Sequence, residues 1–475
     1  MRAVDRVGVL LVANAIGPSE SNPPMSFSFP SRRRFGLSML AATAWSVMAR
    51  AKAGAPRGVS ITDFGARADG VTVNTRAIQT AIDHLAAQGG GTVVVPAGVF
   101  VSGALFLKPG VGLHLAKGAV LRCSTDMQNF PPRRTRIEGH FEDSFTPALI
   151  NADGCDDLKI TGAGTLDGAG RPIWDLFWKL RAAAPDPSRF PNLGLPRARL
   201  ALIENSKRVT IDGVTFKDSQ FWNLHLYRCS GVLVRNARFE VPDDYKQAPS
   251  TDGIDLDSSR DVVIDGCYFS VTDDCIAAKG SKGPYAMQDT DSPPVEHVRI
   301  RNCHFRRGHQ AFTCGSEATV VRDVIVENCT VTGAINLLML KLRPDTPQLY
   351  EDIHLRNITL DNAGGRILLI EPWSQYKDLK GAEPPKSIVR NITLRNIRGR
   401  FGAFGIIRPN VGQTTISDIR IEGLQVQLTQ NATLAASGAT DVRFIDVVIN
   451  GQPTTAPAYT APSPADTTSS SRLFG

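Results

Sequence analysis

Six side chains in the middle of the chain have types and spacing that could do chemistry together. Asp252 stands just before Gly253-Ile-Asp-Leu-Asp257, in which Ile254 and Leu256 should point inward and Asp255 and Asp257 outward. Asp273 and Asp274 follow 21 and 22 residues later, just before Cys275-Ile-Ala-Ala-Lys279, and His309 precedes Gln310-Ala-Phe-Thr-Cys314. In Leu338-Met-Leu-Lys-Leu-Arg343, Lys341 and Arg343 alternate outward from Leu340 and Leu342. Stacked as parallel strands about 4.8 Å apart, these segments would place three carboxylates, an imidazole and two cations on one ladder about four turns tall. Each residue taken singly is an ordinary loop residue, and the ladder is the specific signal. Like charges at such distances repel, so at least one carboxyl should have a raised pKa. A proton donor beside an ionised carboxylate is what glycosidic cleavage requires.

The elements that must position these residues repeat along the chain. The unit is apolar-x-apolar-x-(Asn/Gly/Asp), seen at Leu158–Gly162, Val209–Gly213, Val232–Asn236, Val262–Gly266, Val298–Asn302, Val324–Asn328, Ile353–Asn357, Ile392–Asn396, Ile419–Gly423 and Val442–Asp446. Period-2 alternation predicts strands with one buried face. The Asn/Gly/Asp column predicts a recurring left-handed bend, which these residues tolerate best. Starts 23 to 39 residues apart from Val209 onward leave no room for a helix in each repeat and predict a stacked solenoid. With the strand series that carries the ladder lying between these units, the predicted fold is all-β, a right-handed parallel β-helix over residues 54–450. Thr75 to Ala87 is amphipathic and predicts a helix capping the open end of the coil. Residues 451–475, rich in Pro, Thr, Ser and Ala, read as a disordered tail.

The 475 residues carry 53 Lys+Arg against 46 Asp+Glu, a net +7, which at first suggests an acidic partner. Much of that excess is local. Residues 1–53 hold seven of the basic and two of the acidic residues, leaving 46 against 44. Ser31-Arg-Arg-Arg-Phe-Gly-Leu37 looks like a bacterial twin-arginine signal, followed by a short apolar stretch and the small-x-small site Ala51-Lys52-Ala53. The expected location is therefore periplasmic or secreted, with residues 1–24 an upstream mis-start before Met25. Nucleic-acid signatures are missing, and no apolar run is long enough for a membrane span. Of eight cysteines, Cys267, Cys303 and Cys329 share one position in three repeats, which reads as a buried column of free thiols, and no zinc spacing occurs. The acidic run at Asp252 lacks the glycine and glutamate of an EF-hand, and Gly162–Gly168 lacks the βαβ context of a dinucleotide loop. Trp222 and Tyr227 are candidates for stacking on sugar faces, with plain packing the commoner use.

Ser250-Thr251-Asp252, Asp273-Asp274-Cys275, Gly308-His309-Gln310 and Lys341-Leu342-Arg343 resemble, in order, the NTD, DD, GHG and RIK motifs of glycoside hydrolase family 28. These are the polygalacturonases and their relatives. Asp63 through Gly98 also looks like the N-terminal cap of pectinase β-helices. The resemblance spans about residues 58–450 and implies hydrolysis of galacturonate-containing polysaccharide with inversion and without a metal or other cofactor. Asp273 would be the general acid, Asp252 and Asp274 would activate water, and His309 would hold the acid's protonation state. Lys341 and Arg343 would bind a substrate carboxylate. One-turn spacing by itself gives the short carboxylate separation of retaining enzymes, so inversion is implied by the resemblance and not by geometry.

Three positions depart from the motifs: Ser250 for Asn, Gln310 for the second Gly, and an exchanged order of basic residues at 341 and 343. They leave the acids intact and put the substrate in question. The competing readings are a rhamnogalacturonan hydrolase, a calcium-dependent pectate lyase and a non-catalytic β-helical carbohydrate-binding or adhesin module. Gly280 to Pro294 lengthens the turn between Asp274 and His309 and is the expected wall of the cleft if attack is from a chain end.

Overall fold

The repeated units become short strands that hydrogen-bond to their equivalents one turn away. Val232, Val262, Val298, Val324, Ile353 and Ile392 stand in one such register column, and every pairing along it is parallel. The computed structural model describes residues 58–373 and 377–461, which lie in one compact unit, Gly54–Gly475. The predicted signal segment, residues 1–53, lies outside the described residues. The strands assemble into a 25-stranded and a 12-stranded sheet wound into a right-handed parallel β-helix.

Two columns show why this sequence winds in this way. At the Asn/Gly/Asp positions the backbone is left-handed, with φ of 53° at Asn236, 64° at Gly266, 56° at Asn302, 55° at Asn328, 56° at Asn357 and 53° at Asn396. Asparagine tolerates that conformation because its short amide can bond locally. Here the amides bond along the column, Asn357 to Asn328 at 3.1 Å and Asn396 to Asn357 at 3.2 Å. Inside the coil, Phe216, Phe239, Phe269 and Phe305 stack at centroid separations of 4.9, 5.1 and 5.2 Å, one ring per turn. All eight cysteines are buried and free, including the column Cys267, Cys303 and Cys329.

Helix α1 (Thr75–Ala87) buries Ile78, Ala81, Ile82 and Leu85 against the first turns, the apolar stripe that its spacing predicts. Helix α2 (Arg171–Ala183) was not expected. It starts with Pro172 in its first turn, where the missing N–H costs no hydrogen bond, and it buries Ile173, Trp174 and Phe177. At the far end, Gln452–Pro453 pairs with Val448–Ile449, and Ala458–Thr460 adds a parallel strand beside Leu434–Ser437. The tail boundary at residue 450 is therefore corrected as far as residue 461. The open edge of the last turn supplies backbone partners that composition does not reveal. Residues 462–475 lie outside the described residues.

Because Phe269 fills the centre of the aromatic stack, Phe269→Ala should lower the unfolding free energy by about 3–5 kcal/mol, read as a fall in the urea midpoint.

Candidate active site

Beside β1 (Leu224–Tyr227), four neighbouring strands of the 12-stranded sheet carry the ladder: β2 (Ile254–Asp257), β3 (Ile276–Lys279), β4 (Gln310–Cys314) and β5 (Asn336–Leu342). The register sets Tyr227, Asp257 and Lys279 in one column and Ile254 beside Ile276. Asp252, Asp273–Asp274 and His309 occupy the approach to three successive strands. Backbone bonds tie these approaches together: Gly253 N–H to Asp274 at 2.9 Å, Cys275 N–H to Gln310 at 2.8 Å and His309 N–H to Asp273 at 2.9 Å. Two glycines permit this closeness. A Cβ on Gly253 would meet the Cys275 carbonyl at 2.4 Å, and one on Gly308 would meet the Cys275 sulfur at 2.6 Å.

The carboxylates are divided among three basic side chains, Lys279 and Lys341 buried and His309 half-buried. Asp273 Oδ1 lies 3.1 Å from His309 Nδ1, and Asp274 Oδ2 lies 2.7 Å from Lys341 Nζ. Lys279 Nζ stands 3.7 Å from Asp252, 3.8 Å from Asp255 and 3.9 Å from Glu317. Burial, followed by the charges of Asp273 and Asp255, pushes the Asp252 carboxyl well above its ordinary range despite Lys279. Burial likewise drives Asp255 up. Burial also pushes Asp273 upward, but the charge and hydrogen bond of His309, aided by Lys341 and Lys279, outweigh it and hold that carboxyl at about 2. His309 responds in kind. Burial disfavours its charge, yet Asp273 raises its pKa above the usual 6.5. Asp274 Oδ1 is buried without a protein partner.

Asp252, Asp273, Asp274, His309 and Lys341 line one cleft, as the sequence predicts, together with Lys279, Glu317, Gln310 and Glu138. Asp273, Asp274 and His309 also present ligand atoms within 4.8 Å of one another, the one such grouping among the described residues. Lys341 and His309 already balance its two carboxylates, so the donor set does not call for a cation.

Arg343 is a correction. Its Nε and Nη2 lie 2.9 and 2.8 Å from the two oxygens of Asp345, and it is absent from the cleft lining. A planar guanidinium fits a carboxylate in this bidentate way, and Asp345 supplies one from two residues along the chain. Asp255 and Asp257 do face outward but are fully buried. The antiparallel hairpin Arg133–Ile137/His140–Phe145 covers this face, and Arg136 Nε reaches Asp257 at 3.1 Å. Tyr227 is buried there too, its hydroxyl donating to the Asp291 carbonyl at 2.7 Å, whereas Trp222 lines the cleft.

The wall comes from a different insertion than expected. Gly280 to Pro294 packs on Tyr227, Arg136 and Thr346 and leaves the cleft lining to other residues. Phe177, Trp178 and Arg181 of α2, with Phe190 and Asn192 beyond it, form the wall. Trp174 Nε1 donates to Ser219 at 2.9 Å, and Trp178 Nε1 donates to Gln247 at 2.7 Å. Arg197 is fully buried between the Phe177 and Phe221 rings, 4.5 and 4.3 Å away, and donates to Pro249 at 2.9 Å. The wall is thereby fastened to the segment that leads into Asp252. Its sequence signal was the 51-residue interval between Leu158 and Val209, the widest between neighbouring repeat units.

The chain resembles known proteins over most of its length. It is 26% identical over 407 residues to a probable polygalacturonase of Vitis vinifera, covering 83% of this chain and 79% of that one. It is 26% identical over 360 residues to an exopolygalacturonase of Zea mays, covering 74% and 78%. The exopolygalacturonase structure from Thermotoga maritima superimposes with a TM-score of 0.65 at 22% identity, covering 85% of this chain and 94% of that one, and so shares the fold. Residues 58–113 match a model described as rhamnogalacturonase A/epimerase, pectate lyase-like. Residues 91–434, which include every residue of the ladder, match the model of glycosyl hydrolases family 28, and the chain belongs to that family.

Proposed function

We propose that the protein hydrolyses galacturonate-containing polysaccharide at a chain end, by acid/base catalysis with inversion. The observation that carries this reading is one cleft in which three carboxyls meet three different basic side chains, Asp273 3.1 Å from His309, Asp274 2.7 Å from Lys341 and Asp252 3.7 Å from Lys279, with the Asp252 pKa shifted up by burial and that of Asp273 shifted down by His309. Asp273 acts as the general acid. Its proton is stored on His309 Nδ1, 3.1 Å away, passes to Asp273, and goes on from that carboxyl to the leaving glycosidic oxygen as the C–O bond breaks and charge develops there. Asp252, once ionised, takes one proton of the attacking water, and Asp274, through its unpartnered Oδ1, accepts a hydrogen bond from the O–H that remains on the product.

Lys341 is the residue for a substrate carboxylate. Asp274 takes one of its three N–H donors, and the others are available at the cleft surface. Trp178, Phe190 and Trp373 are half-buried in the lining and offer apolar faces for sugar rings. The α2 wall favours chain-end attack, and relatives named exopolygalacturonases fit that choice. The twin-arginine-like segment supports export to the periplasm or beyond, where an acidic plant polysaccharide would be the partner.

Incubation with polygalacturonate should release mono- or disaccharide reducing ends with little early loss of viscosity and no unsaturated product. Asp273→Asn should remain folded with kcat reduced about 10²–10⁴-fold, the usual worth of a positioned acid. Near-wild-type turnover by that variant, or cleavage of rhamnogalacturonan alone, would contradict the assignment.

The pH profile follows from the same groups. Asp252 must ionise to act as a base, so kcat/KM should rise with pH through an acid limb above the ordinary aspartate value of 3.8. The His309–Asp273 pair must keep its proton, so activity should fall only as pH passes the raised His309 value, above 6.5. His309→Gln removes the stored proton and should move the alkaline limb to lower pH, measured as kcat/KM against pH.

A further inference from the structure

Gln310 is the one polar side chain of the cleft lining that the acid/base scheme leaves unexplained and that also lacks a strong partner. It begins β4, is 3% exposed, and lies on the lining shared by Asp273, His309 and Lys341. Its Nε2 donates to the Met339 thioether at 3.3 Å, a weak acceptor, and its Oε1 is buried with no protein partner. The thioether fixes which way round the amide lies. Turning the amide over would set the carbonyl oxygen against sulfur and lose the bond that Nε2 makes. A buried carbonyl without a donor is costly, whereas an apolar side chain of similar size at the same place would not be. Its presence is therefore explained by a donor that arrives with the ligand.

We propose that Gln310 Oε1 accepts a hydrogen bond from a free hydroxyl of the sugar seated beside Asp273 and Lys341, making Gln310 a specificity-determining residue. This rests on the function proposed above and adds what the site reads. An ionised uronate carboxylate has no hydrogen to donate and belongs to Lys341. A hydroxyl has one, and an O-acetyl ester at the same carbon has none. The cleft should therefore select unacetylated galacturonan, because a site built to bond a hydroxyl rejects the analogue that lacks it.

The test compares wild type and Gln310→Leu on polygalacturonate and on the same polymer O-acetylated at its ring hydroxyls. Wild type should prefer the unacetylated polymer by about tenfold or more in kcat/KM. Gln310→Leu should lose roughly tenfold on the unacetylated polymer, chiefly through KM, lose little on the acetylated one, and so abolish most of the preference. Its melting temperature should equal or exceed that of wild type, since the substitution removes an unpaired buried carbonyl. Gln310→Met gives the same comparison if the leucine variant fails to fold. Equal losses on both polymers, or an unchanged preference, would overturn the role of Gln310 while leaving the hydrolase assignment standing. A wild-type protein inactive on both polymers would overturn that assignment and this role with it.

Discussion

The repulsion among carboxylates stacked at the spacing of a β-helix is the constraint on which the rest of the site depends. Turns about 4.8 Å apart leave no freedom to separate residues that occupy equivalent positions on neighbouring turns. Asp252, Asp255, Asp273, Asp274 and Glu317 are all held within this rigid frame, and each but Asp273 is nearly or fully buried. Lys279, Lys341 and His309 make the arrangement tenable. Lys279 is shared by Asp252, Asp255 and Glu317, and Glu317 also has Arg343 3.6 Å away, so the shortfall of positive charge falls on Asp252 and Asp255, which burial and their neighbours drive toward the protonated form. The asymmetry between Asp252 and Asp273 thus grows out of the fold's own geometry.

That geometry demands rigid support. Gly253 and Gly308 let neighbouring turns approach to distances that any side chain would prevent. Beneath them, the phenylalanine stack fixes the floor, with the Phe269 ring 2.9 Å from where a Gly253 Cβ would lie. Above them, α2 and the buried Arg197 hold the wall against the Pro249–Ser250 segment. Cleft width and carboxylate position are therefore set by overlapping parts of the chain.

The solenoid, its capping helix and the ordered acids were legible in the sequence because each rests on a local period or a short fixed spacing. What was not legible came from partners distant in sequence. Lys279 looked like the last residue of an ordinary strand, Ile-Ala-Ala-Lys, and only the register places it among Asp252, Asp255 and Glu317. Glu138 and Arg136 enter from a hairpin more than a hundred residues upstream of the DD motif. For Arg343, alternation predicts which face the side chain takes and not the partner it meets there, Asp345 two residues on. Length alone likewise does not identify which insertion forms the wall. Both insertions are long enough to form one, but only that of α2 carries an aromatic face, Phe177 and Trp178, that packs toward the cleft.

The division of protons between Asp252 and Asp273 is the most direct point of test. Carboxyl ¹³C NMR of aspartate-labelled protein, assigned with Asp252→Asn and Asp273→Asn, follows each group separately through a pH titration. Asp252 should remain protonated well above pH 3.8 and Asp273 should remain ionised down to about 2. Both groups titrating together near 3.8, or Asp273 retaining its proton at higher pH than Asp252, would contradict the account.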